Sequence, residues 1–366
     1  MKIRKPILFL LAVAAAHISL AGEGSNEASP RAREKTVTVM TWNLYLGADV
    51  APVINAARKN PSAVPAAVSK VWAKVQATDF RERARAMALE IDRARPDLIG
   101  LQEAVTYRSQ FPSDSLGPLP TPATHVEYDF IGLLQEALRD RGLHYAVVAV
   151  SIGFDVEMPR MRSRDPLVLE DIRLTESEVI LARGERQPAG KLSNVDGSNF
   201  ETNLDLGFLT VRRGWCAVDV KIHGERFRFI TTHLEADNEL VRLLQSNELL
   251  LGPANTSLPV VLVGDFNSNA AGDETSAAYF NLLSGGFRDS WNEMDSGATG
   301  DTCCHDELLT AQTPFAASRE RIDLILLRGG IDVVSVAVVG NEAGDRTPSG
   351  LWPSDHAGVV AKLRLR

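Results

Sequence analysis

One stretch constrains this chain more than any other. Val260-Val261-Leu262-Val263 is followed directly by Gly264-Asp265-Phe266-Asn267. A short unbroken run of mostly β-branched residues predicts a strand buried on both faces. Gly264 then lets the backbone turn. Asp265 and Asn267 stand two residues apart, so in extended geometry their side chains point the same way. The strand therefore ends by delivering a carboxylate and an amide side by side: a proton acceptor and a hydrogen-bond donor aimed at one spot. Asp and Asn are also the commonest turn residues. The reading gains weight only if other strands end in the same manner.

Five further stretches do. Val37 and Val39 alternate with polar neighbours in a first strand that closes on Trp42-Asn43. Asp97 to Gln102 predicts a second, ending at Glu103. Cys216, Val218, Val220 and Ile222, the turn His223-Gly224-Glu225, and Phe227 and Phe229 form a predicted hairpin that delivers His233. Ile322 to Leu327 carries Asp323 inside an apolar run. Asp355-His356 precedes a last strand, Val359 to Leu363, and Ile331 to Val339 is another strand.

Between these lie other predicted elements. Residues 50–77 read as an irregular helical insertion. Asp79 is placed to cap a helix, with Glu82 as reciprocal partner, and Phe80, Ala84, Met87, Ala88 and Ile91 fall on one face. Further helices are expected over Ile131 to Arg139 and Glu239 to Leu251, the second with Leu240, Leu243, Leu244, Leu250 and Leu251 inward; a strand is expected over His144 to Ile152. Residues 106–128 read as a long loop, 153–178 as charged and irregular, and 185–207 as an exposed hairpin or loop. Many strands interleaved with a few helices point to two mixed sheets covered by helices.

With 366 residues, 45% of them hydrophobic and 23% charged, there is ample material for a core. No linker or repeat marks a split, so residues 36–366 are expected to form one domain. Lys2, Arg4 and Lys5, the apolar run Ile7 to Ala16, and Ser19-Leu20-Ala21 have the layout of a secretory signal peptide over residues 1–21. Residues 22–35 are polar and expected to be a disordered linker. The expected location is secreted or periplasmic. Loss of the leader would remove three positive charges from a formal net charge of −8. Bulk electrostatics therefore do not favour a nucleic acid partner, although a local basic rim and a bound metal can compensate. An oxidising compartment permits a disulfide from Cys216 to Cys303 or Cys304. The Cys303-Cys304-His305-Asp306 stretch is taken as a loop.

The strand endings together supply Asn43, Glu103, His233, Asp265 with Asn267, Asp323, and Asp355 with His356. This set is rich in oxygen and free of sulfur, which selects Mg²⁺, with Mn²⁺ or Ca²⁺ as alternatives, over zinc. No Walker-type phosphate loop is present.

Thr41-Trp42-Asn43, Leu101-Gln102-Glu103, Thr232-His233-Leu234, Gly264-Asp265-Phe266-Asn267, Arg321-Ile322-Asp323 and Ser354-Asp355-His356, in that order, resemble the endonuclease/exonuclease/phosphatase superfamily. The resemblance implies a four-layer α-β-β-α sandwich of two mixed sheets flanked by helices. It implies Glu103 as principal metal ligand with Asn43 and Asp355 nearby. Asp265 would orient or deprotonate the attacking water, and Asn267 would hydrogen-bond phosphate oxygens. His356, oriented by Asp323, would contact the phosphoryl group, and His233 would stand near the leaving group. Arg213 is a speculative substrate contact, an ordinary hairpin-end arginine being the plainer reading; His144 and His223 are read as structural or exposed. The expected substrate is a phosphodiester, nucleic acid first, with a phospholipid head group, as in sphingomyelinases, as the alternative; Thr232 to Ala236 with Arg242 and Gln245 looks closer to that lipid branch. A phosphomonoesterase is also open, and a catalytically silent binding module ranks last because no key residue is lost. No stable protein partner is expected, and the chain is expected to be a monomer.

Overall fold

The computed structural model describes residues 35–184, 190–294 and 297–366. The expected leader 1–21, and the expected linker up to residue 34, lie outside the described residues. The elements run β1 (Thr36–Asn43), α1 (Ala51–Lys59), α2 (Val64–Ala77), α3 (Phe80–Ala94), β2 (Leu98–Gln102), β3 (Thr106–Gln110), β4 (His125–Asp129), α4 (Phe130–Asp140), β5 (Tyr145–Arg164) and β6 (Leu167–Arg183). They continue with β7 (Lys191–Asn199), β8 (Leu204–Asp205), β9 (Thr210–Val211), β10 (Gly214–Ile222), β11 (Glu225–His233), α5 (Glu239–Leu251), β12 (Val260–Asp265), α6 (Ala277–Ser284), β13 (Arg288–Asp289), β14 (Asp323–Arg328), β15 (Ile331–Val339) and β16 (Gly358–Leu365).

Two mixed sheets result. The first has the order β15-β16-β1-β2-β6-β3-β4, with β5 paired to β6; the second has the order β13-β14-β12-β11-β10-β7. Their facing surfaces bury Val39, Ile180, Val218, Phe229, Val263 and Leu363 against one another. The outer face of the first sheet packs against α1 to α4 through Trp42, Trp72, Met87 and Phe130. The outer face of the second packs against α5 and α6 through Leu249, Leu262, Tyr279 and Leu326. This is the four-layer α-β-β-α sandwich that the motif order implied.

Register explains why distant residues meet. β1 and β2 are parallel with Asn43 opposite Gln102, so Asn43 and Glu103 leave the same sheet edge. β11 and β12 are parallel with His233 opposite Asp265, while β14 runs antiparallel and starts with Asp323 opposite Asp265. β16 is antiparallel to β1, with Val359 opposite Thr41, which sets Asp355 and His356 just beyond Asn43. The sheets also approach closely here. A Cβ on Gly100 would stand 2.5 Å from Thr231 Oγ1, so only glycine fits between them.

Several sequence expectations need correction. Residues 106–128 are not one loop: β3 and β4 pair at the sheet edge. Residues 153–178 are not irregular: they belong to a long hairpin of β5 and β6. The first was masked by its four prolines and polar residues, the second by its charges. In the hairpin the charges pair across the strands, Arg173 with Asp155 at 2.5 Å and Arg160 Nε with Glu170 at 2.5 Å, so alternate polar positions stabilise the ladder. Polar β7, within 185–207, is a paired strand flanking β10. Residues 50–77 are regular, forming α1 and α2. Asp79 caps α3 by accepting from Arg81 N, but Glu82 turns away to accept from Ser349 N at 3.1 Å instead of closing a capping box. Helix α5 buries Arg242, Gln245, Ser246 and Leu249, not the expected leucine face: Leu240 and Leu251 are exposed. Finally, Cys303 and Cys304 are paired with each other, and Cys216 is buried and free.

Candidate active site

Asp265 sits at the centre of the edge where the sheets converge. Its Oδ2 accepts from Asn43 Nδ2 at 3.0 Å and lies 3.5 Å from His233 Nε2 and 3.8 Å from His356 Nε2. Its Oδ1 accepts from Asn267 N at 2.9 Å. The local backbone makes this possible. Gly264 has φ +150°, and a Cβ there would strike Thr232 O at 2.0 Å. Asn267 takes the left-handed region, φ 47°, which folds its amide back toward Asp265.

Each imidazole has its own acid. His356 Nδ1 is 2.8 Å from Asp323 Oδ2, and His233 Nδ1 is 3.2 Å from Glu176 Oε1. Such a partner fixes the ring orientation. Burial opposes a charge on His356, yet Asp323, Asp355 and Asp265 raise its pKa well above the ordinary histidine value. Burial likewise works against ionised Asp265, but the adjoining His356 and His233 hold its carboxyl below the usual range. The arrangement is an ionised carboxylate between two imidazoles, an acceptor for a water proton.

Next to it lies an acidic pocket. Glu103, with φ 52°, accepts from Asn43 Nδ2 at 3.2 Å and from Leu46 N at 2.6 Å. Burial, reinforced by the charge of Glu103, pushes Asp355 up to about 7. Two carboxyls whose charges act on one another offer the hard oxygen donors that Mg²⁺ or Mn²⁺ prefers, so the chemistry of the residues present fits such an ion. Asn43 takes a bridging place: its N–H groups serve Glu103 and Asp265, and its Oδ1 accepts from Tyr45 N at 2.9 Å. Asn267 Nδ2 donates to Leu234 O at 3.0 Å, which leaves the second hydrogen of that amide for a substrate oxygen. Behind the pocket, buried Arg83 holds the carbonyls of Leu44, Tyr45, Thr78 and Pro353.

Every sequence-predicted residue falls in this region. Arg213 does so as a buried side chain whose Nη1 is 2.9 Å from both Glu176 Oε1 and His233 Nδ1. The sequence reading missed Glu176 and Glu178, because both lie in the stretch taken as irregular. The signal was there: two acids at a spacing of two, leading straight into the apolar run Val179 to Ala182. Burial opposes the charge of Glu176, but Arg213 and His233 hold it low. Burial, with Glu176 beside it, pushes Glu178 up to about 8. His144 and His223 are exposed, as expected.

Two imidazole–carboxylate pairs flank an aspartate at the end of a four-layer sandwich. Residues 40–356 match the Endonuclease/Exonuclease/phosphatase family, and the chain belongs to it. A search of curated proteins returned no match. Among solved structures, a family member from Leptotrichia buccalis is 16% identical over 90% of this chain and 100% of its own, with a TM-score of 0.54. One from Beutenbergia cavernae is 21% identical over 91% of this chain and 72% of its own, with a TM-score of 0.53. D. rerio TDP2 complexed with a single-strand DNA product is 17% identical over 90% of this chain and 100% of its own, with a TM-score of 0.51. At these identities the likeness is one of fold.

Proposed function

We propose that this protein is an exported, divalent-metal-dependent phosphodiesterase in which water attacks phosphorus in line. The observation that carries the reading is the placement of Asp265 Oδ2 among Asn43, His233 and His356 beside the Glu103–Asp355 pocket. Asp265 orients the water and takes its proton. His356, held by Asp323, stabilises charge on the phosphoryl oxygens, and Asn267 donates to one of them. His233, held by Glu176, stands where a leaving oxygen needs a proton. Glu103 and Asp355, with Asn43 beside them, hold the cation; when bound, it supplies further charge stabilisation at the phosphoryl group. Export rests on the leader over residues 1–21, and mass spectrometry of the released product tests it by the new N-terminus.

Nucleic acid is the substrate proposed first. The relative solved with a single-strand DNA product supports it. A second reading, a lipid phosphodiester, is favoured by a small apolar cavity of about 70 Å³ between the α1–α2 insertion and the β5–β6 hairpin, lined by Val53, Val68, Tyr107, Phe154 and Leu174 among others. Tyr107 Oη donates to Leu46 O at 3.0 Å, and Leu46 N holds Glu103, so the cavity wall abuts the metal pocket. Purified protein with Mg²⁺ is assayed on plasmid DNA, RNA, sphingomyelin and bis-p-nitrophenyl phosphate. Breakdown of nucleic acid without lipid cleavage supports the first reading, and the reverse supports the second. EDTA stops turnover and Mg²⁺ or Mn²⁺ restores it; turnover that persists after chelation rules out the metal role of Glu103.

A further inference from the structure

The segment carrying Cys303 and Cys304 lies directly against His356, and the proposed hydrolysis gives it no part. Cys303 Sγ is 3.6 Å from His356 Nε2, the ring nitrogen that faces Asp265 at 3.8 Å. The same segment is bonded to both flanks of His356: His305 N donates to Asp355 O at 2.8 Å, and Ala357 N donates to Thr302 O at 2.7 Å. Thr302 Oγ1 in turn accepts from Asp323 N at 3.1 Å, and Asp323 is the carboxylate that orients the His356 ring. Cys303 is also tied to Glu320, through Cys303 N to Glu320 O at 3.1 Å and Glu320 N to Cys303 O at 3.0 Å. Residues 302–305 thus bracket Asp355-His356 and the start of β14, and the Cys303–Cys304 disulfide sits in the middle of that bracket.

Cys303 is only 1% exposed, so its sulfur has no solvent to move into, and His356 is one of its walls. Protein interiors leave few voids as large as an atom. Opening the S–S bond moves the sulfurs from bonding distance to contact distance and adds a hydrogen to each. The Cys303 sulfur must then press on the His356 ring, or the bracket must shift and strain its bonds to Asp355 and Ala357. Either way the ring leaves the place that Asp323 sets. We propose that the Cys303–Cys304 disulfide is a positioning element for the His356 ring, and that its reduction by a dithiol turns down the hydrolysis proposed above, on which this second part rests. Cys304 is half-buried and is the sulfur that an incoming thiolate reaches. A new S–S bond forms to Cys304 Sγ while the Cys303–Cys304 bond breaks. Cys303 leaves with the electron pair and takes the proton that the first thiol gave up. The reductant's second thiol then attacks the reductant's own sulfur in the mixed disulfide, releases Cys304 as a thiol and departs as a cyclic disulfide. Such a chain is active where disulfides persist and restrained where dithiols are abundant.

Full-length protein is treated with dithiothreitol and desalted, and its thiols are read by iodoacetamide labelling and peptide mass spectrometry. The peptide carrying Cys303 and Cys304 is expected to be unlabelled before treatment and labelled at both after it. Labelling in protein kept under air overturns the proposal. With the pair open, kcat on bis-p-nitrophenyl phosphate with Mg²⁺ is expected to fall by about 10–100-fold while KM stays nearly constant, and oxidation with diamide restores it. Cys216→Ser keeps this response; Cys303→Ser/Cys304→Ser has the lowered kcat and no response. A second measurement needs no turnover and no variant that must fold without the disulfide. The His356 imidazole signals in proton–carbon NMR, assigned by their absence in His356→Gln, are expected to move on reduction of wild type, while those of exposed His223 stay. Unmoved His356 signals and unchanged kcat with the pair open overturn the proposal, as does a matching loss of circular dichroism, which makes the disulfide merely structural. Moved signals with unchanged kcat overturn the control of hydrolysis. Moved signals in a protein that hydrolyses no phosphodiester in either state uphold the positioning and overturn the hydrolase reading instead.

Discussion

Asp265 is the residue on which the proposed chemistry turns, and its surroundings say how a substitution should read. It is buried, accepts from Asn43 and Asn267, and faces both imidazoles. Asp265→Asn keeps shape and removes the proton acceptor. We expect kcat to fall by about 10²–10⁴-fold with little change in the apparent Tm; His356→Ala should do the same. A comparable loss of folding, seen by circular dichroism, would make these positions structural. Glu176 acts through His233. Glu176→Gln should lower kcat by about 10–100-fold while KM stays nearly constant, because only the ring orientation is disturbed. A change confined to KM would instead place Glu176 in substrate binding.

At the scale of elements, α5 illustrates what periodicity could and could not show. Leucines at helical spacing suggested the inward face, yet the buried side presents Arg242 and Gln245. Arg242 donates to the carbonyls of Ala236 and Asn267, and Gln245 accepts from Glu235 N at 2.8 Å. The helix is turned by the loops it must hold rather than by its apolar content. Arg242→Leu should therefore cost about 2–3 kcal/mol in urea unfolding, whereas Leu251→Ser should change it by less than about 0.5 kcal/mol; the opposite order would restore the leucine face. The buried strands β1, β2, β12 and β14 were legible because they are apolar runs ending in a polar residue. The β5–β6 hairpin was not, since its alternation is between charges that pair across strands and shallow apolar contacts. Glu176 was lost with that hairpin, and with it the partner of His233. The contacts of Arg83 were not legible either, because no spacing in a chain reports which distant carbonyls a guanidinium will gather.

For the whole molecule, the buried acids set a pH dependence of stability. Asp355 is raised to about 7, Glu178 to about 8, and His356 well above its ordinary value. Each holds its proton more tightly folded than unfolded. Their contribution is therefore full below the unfolded values and is lost as pH rises through the folded ones. Asp265 and Glu176 are lowered, so their contribution is lost only in acid, below about pH 4. Chelated protein should melt at a lower temperature at pH 8 than at pH 5, and saturating Mn²⁺ should reduce that difference; a flat or inverted profile without metal contradicts the assignment. One further consequence follows from the pairing of β1 with β16. Asp355 and His356, which follow the Ser354 hydroxyl bonded to Asn43 O, immediately precede β16. The candidate site is therefore complete only in a chain whose β16 has already paired with β1.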